Sequence, residues 1–268
     1  MRASSAITLL AWIGAALAAS AAPACASVAA AQVEKVEAAP APGAALPPAL
    51  GFVDEAGRRL TLRDAMGGLP SVLIFVDYTC RTLCGPVLEF AAAGLSKSGL
   101  RPSADYRLLV IGLDPRDSIA AARAMHAEHI KDGNPIGRGA HFLSGDAAAI
   151  RAVTQAAGLH YAYDAEHDQY AHPAAVYILD AEGRVRRVLS PLGLDGADLR
   201  LAIVDAGRGA VGTLADRIHL LCYGYDPVKG IYTERITSML ALAAAMTALA
   251  LLGGISLMAM RERRSRPS

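Results

Sequence analysis

The sequence predicts an α/β domain with an added N-terminal β-hairpin, followed by one C-terminal transmembrane helix. Three observations carry that prediction. The run Val72–Val76 is wholly apolar, breaks at Asp77-Tyr78-Thr79, and leads through Cys80 and Cys84 into Val87, Leu88, Phe90 and Ala91 at helical spacing. A buried strand feeding a helix reads this way. Strand-like and helix-like segments then alternate to about residue 205, with a hairpin near the end, as layered α/β domains do. Finally, Ile236–Met260 holds no charged residue and is followed at once by Arg261, Arg263, Arg264 and Arg266. At about 1.5 Å per helical residue, such a stretch crosses a bilayer core of about 30 Å.

The ends of the 268-residue chain divide accordingly. Residues 1–26 read as a secretory signal peptide: Met1-Arg2 is positive, Ile7–Ala19 is apolar, and small residues offer cleavage after Ala21, Ala22 or Ala26. Cys25 falls there, in a lipoprotein-like box that lacks its leucine; it is lipidated, cleaved away or left as a spare thiol. Residues 27–49 are Ala/Pro-rich and read as a semi-extended linker. A domain follows at 50–208, a juxtamembrane segment at 209–235, the span at 236–260 and a basic tail at 261–268. The arginines place the tail on the cytoplasmic side and the domain on the exported side. A formal net charge of +1 points to no nucleic-acid partner.

Within the domain, Phe52–Leu62 reads as a hairpin turning at Glu55–Gly57, and Gly67–Pro70 as a loop into the Val72–Val76 strand. The helix carrying the cysteines is expected to end near Gly94 or Gly99. Tyr106–Leu113 is a second buried strand. Asp117 or Ser118 caps a helix over Ile119–Lys131, stopped by Gly133-Asn134-Pro135, and Asp146 caps another to Ala157. Ala140–Leu143 is a short apolar piece between them. Ala174–Leu179 is a third strand, turning through Asp180–Gly183 into Arg184–Leu189, and Asp198–Asp205 starts a last helix. This order describes a thioredoxin-like fold with the extra N-terminal hairpin. In it, the loop after the first central strand faces the loop before the third, which brings Cys80, Cys84 and His172-Pro173 together.

If the segment from Cys80 is helical, both thiols lie in one first turn and on one face, where the helix dipole favours thiolate. They could then close a disulfide or grip one soft metal ion; the bland alternative is two small buried apolar residues. Two thiolates with the His172 imidazole make a three-coordinate soft site suited to Cu(I) or Cu(II), whereas zinc would want a fourth ligand. The remaining histidines have plain readings, His126 and His129 on the polar side of a helix, His141, His160 and His167 at loop or element ends.

Cys-x-x-x-Cys after a strand, V-I-G-L-D-P at 110–115, and a histidine 88 positions past Cys84 together resemble the Sco/SenC proteins. The likeness extends through L-A-D-R-I-H-L-L-C-Y-G-Y-D-P-V-K-G-I-Y before residue 233, similar to a bacterial branch with a C-terminal anchor. The resemblance implies a membrane-anchored, thioredoxin-like copper chaperone and thiol reductase for the copper site of cytochrome c oxidase, facing the periplasm from the bacterial inner membrane. It implies Cys80, Cys84 and His172 as the copper ligands, and the oxidase subunit or another copper or thiol protein as the partner. Two departures stand out. Arg81 and Gly85 follow the cysteines where the family usually has proline, and Ala171 and Pro173 flank the histidine where it often has Asp and a hydroxyl residue. Pro173 also occupies the place where thioredoxins keep a cis proline, which favours a dithiol–disulfide role.

That role is the alternative reading: Cys80 attacks a partner disulfide and Cys84 resolves the mixed disulfide, without stable metal binding. A thiol peroxidase would need a Thr and an Arg around the peroxide; Thr79 is available, but no suitable Arg is placed. Cys222 and His219 share a face if helical, as a weak metal site or partner contact, or else Cys222 simply packs near the bilayer surface.

Overall fold

The computed structural model describes residues 36–80, 83–130, 134–190 and 194–207, with 223–226, 231–234 and 246–247. The expected signal peptide, Arg81, His219, Cys222 and nearly all of the 236–260 stretch lie outside them. No helix among the described residues is long and apolar enough to cross a membrane.

A seven-stranded sheet organises the domain. Its strands are β2 (Gly51–Asp54), β3 (Arg59–Thr61), β4 (Ser71–Val76), β5 (Arg107–Gly112), β6 (Ala140–Ser144), β10 (Val176–Leu179) and β11 (Val185–Leu189). They lie in the order β11-β10-β4-β5-β6-β2-β3. β4, β5 and β6 are parallel, while the two edges are antiparallel hairpins. All six β4 residues are buried, because both faces of the sheet are covered, and this is why the strand reads as a continuous apolar run. Its side chains still alternate: Val72, Ile74 and Val76 enter one core cluster, Leu73 and Phe75 the other.

Helix α2 (Cys84–Lys97), α3 (Ile119–His129) and α6 (Gly196–Ala206) fill the first face; α1 (Leu62–Met66) and α5 (Ala147–Ala156) cover the second. α2 ends at Lys97, with Gly99 at φ +70° just beyond it. Gly94 lies inside the helix: a Cβ there would collide with the Leu194 carbonyl oxygen, so glycine is what lets α2 approach the entry to α6. Asp195 caps α6 by accepting from the N–H groups of Ala197 and Asp198, three residues ahead of the start expected from sequence. Thr61 and Asp64 form a reciprocal capping box on α1, a one-turn helix the sequence reading passed over. α3 ends at His129, ahead of the expected stop at 133–135, where Asn134 caps a second short helix, α4 (Pro135–Gly139).

The segment read as linker up to residue 49 belongs partly to the fold. β1 (Glu37–Ala38) pairs with β7 (Leu159–His160), and Ala45 bridges to Arg184. The Leu46 N–H donates to the Gly183 carbonyl at 2.9 Å, and the Leu46 side chain is buried in the second core cluster. The domain therefore starts near residue 37. A second hairpin, β8 (Ala162–Asp164) with β9 (Gln169–Ala171), stands outside the main sheet and leads directly into His172. Beyond the domain, β12 (Tyr223–Asp226) pairs with β13 (Ile231–Glu234).

Candidate functional site

The site forms where β4 ends. Asp77 is fully buried there. Its carbonyl accepts from the Cys80 N–H at 3.1 Å, and its Oδ1 accepts from the Thr79 N–H and hydroxyl at 2.9 and 2.8 Å. That carboxylate thus ties the turn between strand and cysteines. Tyr78 pins the same turn into the core, its hydroxyl donating between the Val110 and Leu143 carbonyls at 3.1 and 2.9 Å. The Tyr78 N–H donates to Asp117 Oδ2 at 3.1 Å. Burial, then the charge of Asp77, pushes the Asp117 carboxyl up to about 6.

Cys84, not Cys80, opens α2, and Leu83 precedes it as a cap without a side-chain bond. The expectation that both thiols share the first helical turn is therefore corrected: Cys80 sits in the Asp77 turn. The two cysteines are not joined by a disulfide. Cys84 is buried and Cys80 partly so. The dipole expectation is also overridden at Cys84. Its hydrogen bond with Cys80, and then burial, push its thiol far above the ordinary range, against the opposing pull of the Asp77 N–H. Cys84 keeps its proton at neutral pH.

His172 reaches the pair from the far strand, as the topology requires. Its Nε2 lies 3.3 Å from Cys84 Sγ, and its Nδ1 lies 3.1 Å from the Pro173 carbonyl oxygen. A carbonyl can only accept, so Nδ1 carries the proton and Nε2 is bare where it faces the Cys84 sulfur. Burial holds the imidazole below its ordinary pKa, although the Pro173 carbonyl and the charges of Cys80 and Asp77 work the other way. A neutral imidazole with Nδ1–H held by a carbonyl and Nε2 aimed at a thiol is also how metal-binding histidines are oriented. Among the described residues, no three His, Cys, Asp or Glu side chains are already gathered for a metal ion. The trio stands as two reduced cysteines and a neutral imidazole.

The His172–Pro173 bond is trans, as are all peptide bonds among the described residues, unlike the cis proline that thioredoxins keep at this place. The Thr79 hydroxyl that a peroxidase would need is bound to Asp77. Three other histidines are engaged elsewhere. His126 stacks on Phe142 at 4.5 Å, His129 pairs with Glu89 at 3.0 Å and His167 with Asp164 at 2.8 Å.

The sequence reading missed the carboxylates that assemble the site. Asp77 Oδ2 accepts from the Tyr170 N–H at 2.9 Å, tying the cysteine turn to the hairpin before His172. Asp117 does the same for the turn from the other side. The available signal was their position, each just past the end of a buried parallel strand, where sites in open α/β sheets gather.

A family model described as SCO1/SenC matches residues 39–201. Among solved structures, a protein of Aquifex aeolicus VF5 described in terms of electron transfer aligns with a TM-score of 0.56 at 18% identity, over 63% of this chain and 96% of that one. Arabidopsis thaliana ScoI with copper bound gives 0.51 at 20%, over 63% and 99%. BsSco, described as a Sco-family cytochrome c oxidase assembly protein with a disulfide switch, gives 0.50 at 18%, over 63% and 98%. At these identities the likeness is one of fold. No curated protein matches at a significant level.

Proposed function

The chain belongs to the SCO1/SenC family, and on that premise we propose that it binds copper through Cys80, Cys84 and His172 and serves cytochrome c oxidase assembly. One observation carries the reading: Cys84 Sγ, hydrogen-bonded to Cys80, faces a bare imidazole nitrogen at 3.3 Å. Two sulfurs and one nitrogen suit Cu(I), and the nitrogen extends the site to Cu(II). Copper is cargo here. Loading it requires both cysteines as thiolates, so Cys84 releases its proton on binding. Delivery is ligand exchange, in which thiolates of the receiving protein replace these sulfurs one at a time. The fold relatives support this use, since Arabidopsis ScoI holds copper and BsSco is described as an oxidase assembly protein.

The receiving partner in this proposal is the copper-site subunit of the oxidase, or another copper or thiol protein. A cleaved leader at 1–26 and a single span at 236–260 would hold the domain at the periplasmic face of the inner membrane. The support is the uncharged run ending in four arginines. A thiol-reductase role is supported by a separate observation, that Cys80 is the more exposed of two neighbouring reduced cysteines. Cys80 would attack a partner disulfide and Cys84 would displace the partner's thiol. Two electrons then pass to the partner, and a disulfide remains here for an external dithiol to reduce.

The test is titration of the reduced full chain, in mild detergent, with Cu(I) and Cu(II), beside His172→Ala. Stoichiometric binding is expected, with Cu(II) affinity falling more than about 100-fold in the variant, since losing a ligand exceeds the cost of losing an outer partner. Dithiol–disulfide exchange is expected to persist in the variant. Weak binding that ignores His172 would remove the copper reading and leave the reductase.

A further inference from the structure

Locally, the His172 ring is held by the Pro173 carbonyl oxygen, 3.1 Å from Nδ1. It follows the β8–β9 hairpin, which lies outside the main sheet, and its neighbours Ala171 and Pro173 offer no polar side chain to orient it. The hairpin before it is tied to the loop between β5 and α3. There Asp114 takes Arg116 in a two-pronged grip, with Nε 3.0 Å from both carboxylate oxygens and Nη2 2.6 Å from Oδ2. The same Nη2 donates to Asp168 Oδ1 at 2.8 Å, at the turn of the hairpin. Asp168 stands at φ +48°, a conformation that aspartate tolerates better than most residues. Its Oδ1 also accepts from the Tyr163 hydroxyl at 2.5 Å, and the Arg116 guanidinium carbon lies 5.3 Å from the centre of the Tyr163 ring.

We propose that Arg116 is a positioning residue for His172: by clamping Asp168 to the Asp114 loop, it sets how closely the His172 imidazole approaches Cys84. The clamp joins the two halves of the site, because the same loop also carries Asp117, which accepts from the Tyr78 N–H of the cysteine turn. Asp77 makes the shorter link through Tyr170. With no polar side chain at Ala171 or Pro173, the Pro173 carbonyl orients the ring, and residues distant in sequence place the backbone that carries it. A guanidinium suits the task, since its planar fork is already fixed by Asp114 when it meets Asp168, which a lysine could not reproduce. In copper terms the inference rests on the reading above, but the geometry it concerns exists without metal.

The test uses the full chain, reduced and metal-free, with labelled histidine. The NMR cross-relaxation between the His172 ring and the Cys84 β-protons is measured in wild type, Arg116→Ala, Arg116→Lys and Asp168→Asn. Both Arg116→Ala and Asp168→Asn are expected to weaken that contact clearly, and Arg116→Lys to restore it only in part. The double variant is expected to be no worse than Arg116→Ala, as for two members of one unit. In the same variants Cu(II) affinity is expected to fall by about fivefold, modest because both partners are largely exposed, with loss of nitrogen hyperfine structure. Cu(I) affinity should change less. Asparagine keeps the φ of residue 168, so that variant remains informative if Arg116→Ala misfolds. An unchanged His172–Cys84 contact in both variants overturns the proposal. A weakened contact in a protein that binds no copper upholds the clamp and rejects the copper reading separately.

Discussion

Asp117→Asn is expected to stabilise the protein at pH 8 and to leave it unchanged near pH 4. In the folded protein the Asp117 carboxyl is raised from 3.8 to about 6, by burial first and by the charge of Asp77 second. The native state thus holds this proton more tightly than the unfolded chain does. The resulting stabilisation is fully present below the unfolded value near 4 and is lost as pH rises through about 6. At about 1.4 kcal/mol per pH unit, a charged Asp117 costs the fold at most about 3 kcal/mol above pH 6. The side chain is only half-buried, and solvent screening reduces the cost to about 1 kcal/mol. Asparagine removes the charge and keeps an oxygen to accept from the Tyr78 N–H at 3.1 Å, so the turn keeps its bond. Urea unfolding of reduced, metal-free wild type and variant at pH 4.5, 6 and 8 measures the difference. A gain that is the same at all three values would refute the reasoning, because it could not arise from the titration of this carboxyl.

Two further outcomes follow from the geometry, besides those stated for His172 and Arg116. Because Cys84 keeps its proton to high pH and His172 is already neutral, copper binding must displace a thiol proton but none from the imidazole above about pH 6.5. Apparent Cu(I) affinity is therefore expected to rise at least about tenfold per pH unit between pH 7 and 8.5; competition titrations against a chelator of known proton dependence would refute this with a flat profile, which requires both cysteines to be thiolates before copper arrives. Leu46→Ala is expected to cost about 3 kcal/mol, as for a fully buried leucine, measured by urea unfolding. A loss within about 0.5 kcal/mol, typical of surface positions, would mean that residues 37–49 are linker after all.

Much of the architecture was legible in the residues themselves. Runs such as Val72–Val76 and Tyr106–Leu113 are apolar without interruption because helices cover both faces of the sheet, and that is a local signal. The same order of elements, with the topology it permits, was enough to bring His172 to the cysteines across 88 positions, and the Cys84–His172 distance of 3.3 Å agrees with it. Composition misled at residues 37–49. That segment is held mainly by backbone hydrogen bonds to β7 and to residues 183–185, and backbone groups are the same in every residue, so no side-chain pattern announces them.

The state of the site lay beyond the sequence for a related reason. Whether Cys84 is thiol or thiolate depends on the balance between the helix end, burial and the neighbouring sulfur, and only the packed structure sets that balance. The proton on His172 Nδ1 follows from one carbonyl at 3.1 Å. Asp77 and Tyr170 are 93 positions apart, and Arg116 and Asp168 are 52 apart; each joins loops whose separation is fixed by the sheet between them. Periodicity and element order, which are local properties, sufficed to place the main strands and helices and to bring His172 opposite the cysteines. The tertiary structure alone decided how they are charged, oriented and held, because those depend on distances of a few ångströms between segments that the chain does not connect directly.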